Sequence, residues 1–187
     1  TAMRSMALSI AQRTEPTDPQ AAQAARVIAD ESSRLYDAMH GIIPRLTPLV
    51  LDNFGLADAL GDLLERTRRS HAGLTLEMHV DLGTARVPAE AALTLYRAAQ
   101  EGITNALRHG QAARIVLEVA GSADAVRLTL SDDGVGLPAQ GLPRSGHYGL
   151  RWLTERVESL HGTLALATVE PHGAQLAVHL PLNPESE

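Results

Sequence analysis

The stretch EGITNALRHG, Glu101–Gly110, sets a carboxylate, an amide and an imidazole at successive four-residue steps, Glu101, Asn105 and His109. On an α-helix such steps fall on roughly one face. Apolar residues there would need only a core to explain them, whereas this trio calls for a chemical role. Asn105 offers an amide oxygen, a hard ligand suited to Mg²⁺, which takes oxygen donors and is often shared with substrate phosphates. Glu101, one turn earlier, is a candidate catalytic group that can orient a metal-bound water or draw a proton from one. Arg108 and His109 stand at the helix end, where they can meet phosphate oxygens. A solvated helix face carries the same residue types, so the meaning of the pattern rests on its surroundings.

Those surroundings alternate between strand and helix. VPAEAALTLYRAAQEGITNALRHG (87–110) reads as one long helix, with Pro88 and Glu90 at its start and Gly110 where helices commonly end. LTLEMHV (74–80) alternates like a strand, and RIVLEVA (114–120) and AVRLTLS (125–131) are two more, joined by the turn GSAD. A Gly-rich loop follows, then the helix LRWLTERVESLHG, and TLALATVEPHGAQLAVHLPL (163–182) reads as a hairpin closing the sheet. The implied class is α+β, a mainly antiparallel sheet with helices on one face.

Two loops add chemistry. In SDDGVGLP (131–138), Asp132 follows an apolar strand and precedes Gly134 and Gly136. Asp-Gly is a common turn pair, and a Ca²⁺ loop would need a later Glu and a regular spacing that are missing here. The functional reading puts Asp132 on a pocket floor, accepting a hydrogen bond from an exocyclic amine, with the glycines letting backbone come close to a ligand. In RSGHYGLRWL (144–153), Gly146 and Gly149 lead into a helix, an anion site by geometry and dipole. It is neither a Walker A loop nor a dinucleotide fingerprint, since G-K-[ST] and the G-x-G-x-x-G spacing are absent.

The rest of the chain bounds the class. It has 187 residues, 44% hydrophobic but only 3% aromatic, so the core rests on Leu, Val, Ile and Ala. All sixteen basic residues are Arg, and the net charge of −6 excludes a general nucleic-acid binder. Without Cys there are no disulfides, thiolate metal sites or thiol catalysis. No apolar run approaches the ~20 residues of a membrane span, so the segment is expected to be soluble with no membrane span. At the start, Met3, Met6 and Ile10 form one helical stripe. After TEPTDPQ a second runs through Ile28, Leu35, Met39, Ile42 and Leu46, with Ala24 and Ser32 filling in. Such a pair is either a hairpin in a globular domain or half of a four-helix bundle completed by dimerisation. PRLTPLVLDNFGLADALGDLLERTRR (44–69) reads as a proline-bearing connection and a helix from about Leu56.

The order E-x-x-x-N-x-x-R-H, then D-x-G-x-G after a strand, then glycines before a helix, then HGAQLAVHLPL, resembles the ATP-binding domain of the gyrase, chaperone, histidine-kinase and MutL superfamily. That resemblance implies a two-layer α/β sandwich on a mixed sheet, binding ATP and Mg²⁺ under a mobile lid between Leu137 and Tyr148. By the same resemblance Asn105 holds Mg²⁺ and Asp132 reads the adenine amino group. Gly134 and Gly136 shape the pocket, and Gly149 and Leu150 begin the helix under the phosphates. LYDAMHGIIPRLTPLVLDNFGLADALGDLL and HYGLRWLTERVESLHG are similar to two-component sensor kinases of the nitrate- and hexose-phosphate-sensor subfamily. The implied protein is a histidine kinase that passes phosphoryl from ATP to a His and on to a response regulator. It would work as a homodimer through its amino-terminal helices, as the cytoplasmic segment of a parent anchored in the bacterial inner membrane.

TAMRSMALSIAQR resembles the end of the first dimerisation helix, downstream of the phosphoacceptor His, so that His is expected outside this sequence. His40 is a tempting substitute, but Gly41 follows it where the family has an acidic residue. His71, His79, His161, His172 and His179 lack zinc-motif spacing and read as incidental. His147, Tyr148 and Trp152 depart from the family's usual residues, and Ala174 stands where a Thr is common, which removes a polar contact near adenine. The expected division is a helical dimerisation segment with its connection over 1–70, a catalytic domain over 71–183 and a tail over 184–187. Two other readings stay open: a non-catalytic nucleotide-binding dimer scaffold, and an anti-sigma-type serine kinase on the same ATPase fold.

Overall fold

The prolines of TEPTDPQ stop one helix and start another. In the computed structural model, which describes residues 2–42, 49–137 and 148–182, α1 (Ala2–Thr14) gives way to α2 (Pro19–Ile42) across a short turn. The Thr14 hydroxyl donates back to the Ile10 carbonyl at 2.9 Å, closing the end of α1. Asp18 caps α2, its carboxylate accepting the Ala21 N–H at 2.9 Å, with Pro19 in the first turn, where no amide is needed. Arg26 and Glu15 pair across the hairpin.

The hairpin closes along a seam that the apolar stripes did not foretell. Ala7 and Ala11 of α1 and Ala22, Ala25 and Ala29 of α2 are the buried residues, while Met6 (66%), Ile10 (49%) and Ile28 (52%) stay exposed. Small side chains let two helix backbones approach closely, so the pair meets along its alanines and turns the larger groups outward. Ala24, expected to help fill the stripe, is exposed as well. The side chains of Met3, Leu35, Met39, His40 and Ile42, and residue Leu46, lie outside the described residues.

The second compact unit runs from Pro48 to Glu187, the first from Thr1 to Thr47. The sequence reading grouped the connection and its helix with the amino-terminal segment. Here α3 (Leu49–Ser70) stands with the sheet, because Leu51, Leu56, Ala59, Leu60, Leu63 and Leu64 share its core. The helix also begins earlier than Leu56. It is two helical pieces joined at Gly55, whose φ of 85° and ψ of −178° only glycine adopts readily.

After α3 come β1 (Thr75–Asp81), α4 (Ala89–Asn105), a π-helical turn (Ala106–Gly110), β2 (Arg114–Gly121) and β3 (Ala125–Asp132). Then follow α5 (Tyr148–Ser159), β4 (Thr163–Thr168) and β5 (Ala174–Pro181). The five strands lie in the order β1-β2-β3-β5-β4, with β1 parallel to β2 and the other pairs antiparallel. Alternation decides the layering. Ile115, Leu117 and Val119 of β2, Val126, Leu128 and Leu130 of β3, and Leu176, Val178 and Leu180 of β5 are buried. Between them Glu118, Ala120 and Arg127 are exposed on the opposite face. Against the apolar face, α3 packs on β1, α4 on β3 and β5, and α5 on β4 and β5. The unit is thus α+β, a two-layer sandwich with helices on one side of a mixed sheet. Among the described residues no helix is long and apolar enough to cross a membrane.

Candidate functional site

The period-two register of β3 continues one step past its apolar residues. Val126, Leu128 and Leu130 face the helices, and Asp132, next in that series, ends the strand with a carboxylate on the same side. It looks into a cavity of ≈ 370 Å³ between sheet and helices, within the size range of small-molecule sites. Leu130, Leu150, Leu166 and Leu176 supply apolar wall, and Asp132, Asn105 and His109 bring polar groups to it.

Backbone holds Asp132 in place. Its Oδ1 accepts the Gly134 N–H at 2.8 Å and the Ala174 N–H at 3.4 Å. Gly173 lies directly under it: a Cβ there would overlap the Asp132 carbonyl oxygen, and the φ of 122° disfavours any other residue. Gly134 answers a different need, close approach. A Cβ on it would overlap the Gly110 carbonyl, which accepts the Val135 N–H at 2.9 Å. The loop after β3 is thereby laid against the end of α4.

On the helix side the sheet comes close because α4 has Gly102 where a Cβ would stand 3.0 Å from a Leu130 methyl and 3.3 Å from one of Leu176. Asn105 Nδ2 donates to Glu101 Oε1 at 3.2 Å, so the amide oxygen is the Asn105 atom left for a cation. The Glu101 carboxylate does not line the cavity. It packs on the first turn of α5, against the backbone of Gly149, where a Cβ would overlap it. After Asn105 the helix widens into the π-turn and ends at Gln111, left-handed with φ 53°. The Gly110 end expected from sequence is reached through a wider turn; His109 lines the cavity, and Arg108 is exposed and off its wall. Gly136 and Leu150 line the cavity, whereas Gly146 and the stretch expected as a lid, from Pro138 through His147, lie outside the described residues.

Residues 90–184 match the family described as histidine kinase-, DNA gyrase B- and HSP90-like ATPases. The chain belongs to this family. It is 32% identical to the signal transduction histidine-protein kinase/phosphatase UhpB of Salmonella typhimurium over 97% of its own length and 35% of that protein's. To the nitrate/nitrite sensor protein NarQ of Escherichia coli it is 30% identical, over 92% of this chain and 30% of that one. It sits with the nitrate- and hexose-phosphate-sensor branch and spans about a third of the length of these two relatives. In fold it is similar to the solved histidine kinase domain of the Erythrobacter litoralis EL346 blue-light activated kinase, with a TM-score of 0.58 at 21% identity. That match covers 97% of this chain and 96% of the other.

In this histidine-kinase-type ATPase domain, several residues at the site escaped sequence reasoning. Leu130 and Leu176 are adjacent in the β3–β5 register and share the cavity wall, a pairing that strand alternation alone does not reveal. Asp133, the second acid of SDDG, passes for an ordinary turn residue. Its Oδ1 accepts the N–H groups of Ala113 and Arg114, both at 2.8 Å. Hydrogen bonds from the Arg114 amide first, then from Ala113, with the His172 charge adding, hold its carboxyl below the usual carboxylate range. His172, read as incidental, contacts the Asp133 carbonyl oxygen through Nδ1 at 2.8 Å, which makes Nδ1 the protonated nitrogen. Arg114 also forks onto Glu77 of β1 at 2.9 and 3.1 Å, a bond that lowers the Glu77 pKa and raises that of Arg114.

Proposed function

We propose that this chain is the catalytic core of a sensor histidine kinase. It binds Mg-ATP and, within a longer protein, delivers the γ-phosphoryl group to a His, from which an Asp of a response regulator receives it. The observation that carries this reading is Asp132, a carboxylate in the helix-facing register of β3, held by backbone at one oxygen and opening into a mostly apolar cavity. Apolar walls suit a flat base, and one acceptor suits its exocyclic amine. Gly136 and Gly134 let backbone close in on that base, and Leu150 packs beside it at the start of α5.

The groups toward the phosphates fit Mg²⁺. Among the described residues no three His, Asp or Glu side chains converge on a metal position. That suits an ion that takes one or two protein oxygens and completes its shell with phosphate and water. Asn105 would hold it through its amide oxygen, and when bound it would neutralise phosphate charge. Glu101, joined to Asn105, would orient that amide, and a base role would need its carboxylate to swing from the Gly149 backbone toward the cavity. His109, with Arg108, would meet phosphate oxygens, and Gly149 lets the start of α5 lie against the Glu101 carboxylate. Phosphoryl transfer is largely positioning and charge stabilisation, so few of these groups need be reactive. The exposed Met6, Ile10 and Ile28 favour a homodimer through the hairpin, in a cytoplasmic segment of a membrane-anchored parent.

Calorimetric titration of ADP and an ATP analogue, with and without Mg²⁺, tests the reading. Asp132→Asn should weaken ADP by about 10- to 150-fold, the worth of a charge-assisted hydrogen bond of about 1.5–3 kcal/mol. Asn105→Ala should abolish the Mg²⁺ dependence of the analogue. A folded Asp132→Asn variant with unchanged affinity would remove the assignment.

A further inference from the structure

We propose that Asp133 is the positioning residue for the nucleotide, a latch that sets where the Asp132 carboxylate stands; the inference rests on the adenine role of Asp132. Neighbours on a strand end point opposite ways, and these two acids divide accordingly. Asp132 turns to the cavity, and Asp133 turns outward and back to the start of β2. Its carboxylate accepts the Ala113 and Arg114 amides, and its own N–H donates to the Arg114 carbonyl at 3.2 Å. Its carbonyl accepts the ring N–H of His172 at 2.8 Å, from the β4–β5 turn. Both sides of the cavity's rim are thus tied to the one residue that follows Asp132.

The carboxylate's two bonds fix Asp133 at the start of β2, and its backbone carbonyl carries the tie to the β4–β5 turn. Gly173 and Ala174, the next residues after His172, form the seat of Asp132: one packs on its carbonyl and the other donates to its Oδ1. Moving Asp133 therefore moves the Asp132 backbone against the seat that orients its carboxylate. Asp133 and His172 are both exposed, and their bonds bury no core. Losing them should show less in global stability than in the aim of one oxygen.

Adenine carries an amino donor at the position where hypoxanthine carries a carbonyl acceptor, so the ratio of ADP to inosine diphosphate affinity reads the aim of Asp132. The experiment titrates both nucleotides into wild type, Asp132→Asn, Asp133→Ala, Asp133→Asn and the Asp132→Asn/Asp133→Ala double variant, with thermal melts alongside. Asp133→Ala should weaken ADP by about 5- to 10-fold and leave inosine diphosphate unchanged, since misplacement of a positioned group is costly and specific. In the Asp132→Asn background that loss should vanish. Asp133→Asn, which keeps a carbonyl oxygen for the two amides, should restore most of it. Equal losses for the two nucleotides, a loss that persists without Asp132, or no loss in a folded Asp133→Ala would overturn the latch. Should Asp133→Ala fail to fold, His172→Ala carries the same comparison: a smaller loss of discrimination is expected, and an unchanged ratio overturns it. If wild type does not distinguish the nucleotides and Asp132→Asn is silent, the adenine reading falls and the latch with it. If those two behave as expected while Asp133→Ala is silent, only the latch falls.

Discussion

Among the described side chains of the helical hairpin the buried residues are alanines and the large apolar ones face outward, while in the sandwich leucines and valines fill the interior. Leu60, Leu95, Leu117, Leu128 and Val178 are fully enclosed within one chain, whereas Met6, Val27 and Ile28 are at least half exposed. The sandwich completes its core alone. Among its described side chains the hairpin gains close helix contact but little apolar burial, and it leaves large apolar groups exposed.

Leu95→Ala should produce the largest effect, because it opens a cavity beneath α4 that the surrounding helices and sheet cannot collapse into. A loss of about 2–5 kcal/mol in denaturant unfolding is expected. A loss below 1 kcal/mol by the same measure, on the order of a surface change, would break the contrast.

An intermediate effect follows from the rim of the sandwich. The Asp133 carboxyl is held below its ordinary value, chiefly by the Arg114 amide. Its stabilising share is therefore fully present above the unfolded value of about 4 and is lost as pH falls through the lower folded one. The stability gap between wild type and Asp133→Asn, measured by urea unfolding from pH 7 to pH 3, should narrow only below about pH 4. A gap that instead widens with acid would reverse the sign and sink the assignment.

The smallest single-chain effect belongs to the hairpin. Ile28→Ser should change unfolding of the monomer by no more than about 0.5 kcal/mol, as exposed substitutions do. In sedimentation it should nevertheless shift the proposed dimer toward monomer. An unaltered association constant would argue that this face is not where two copies meet.

Much of the sandwich was legible because its signals are local. The strand before Asp132 was legible and extends one residue further to include it, and the Glu101–Asn105 step is met as a direct hydrogen bond. Other features depend on contacts between distant residues. The π-turn leaves no periodic mark in ALRHG, and the division before α3 rests on leucines that find partners only once the sheet exists. In the hairpin an apolar stripe says which face avoids water, not whether the neighbouring helix of the same chain or a second copy covers it. His172 looked incidental because its partner is 39 residues away.

The distances along the chain at this site have a kinetic meaning. Ala174 reaches Asp132 across 42 residues and Gln175 reaches Ser131 across 44, so the cavity floor is stitched by contacts that loop closure makes slow to form. The floor is complete only once β5 has docked on β3. A ligand that needs the finished floor is expected to find no site before that docking. It should leave the refolding rate where it was and express its whole stabilisation as slower unfolding.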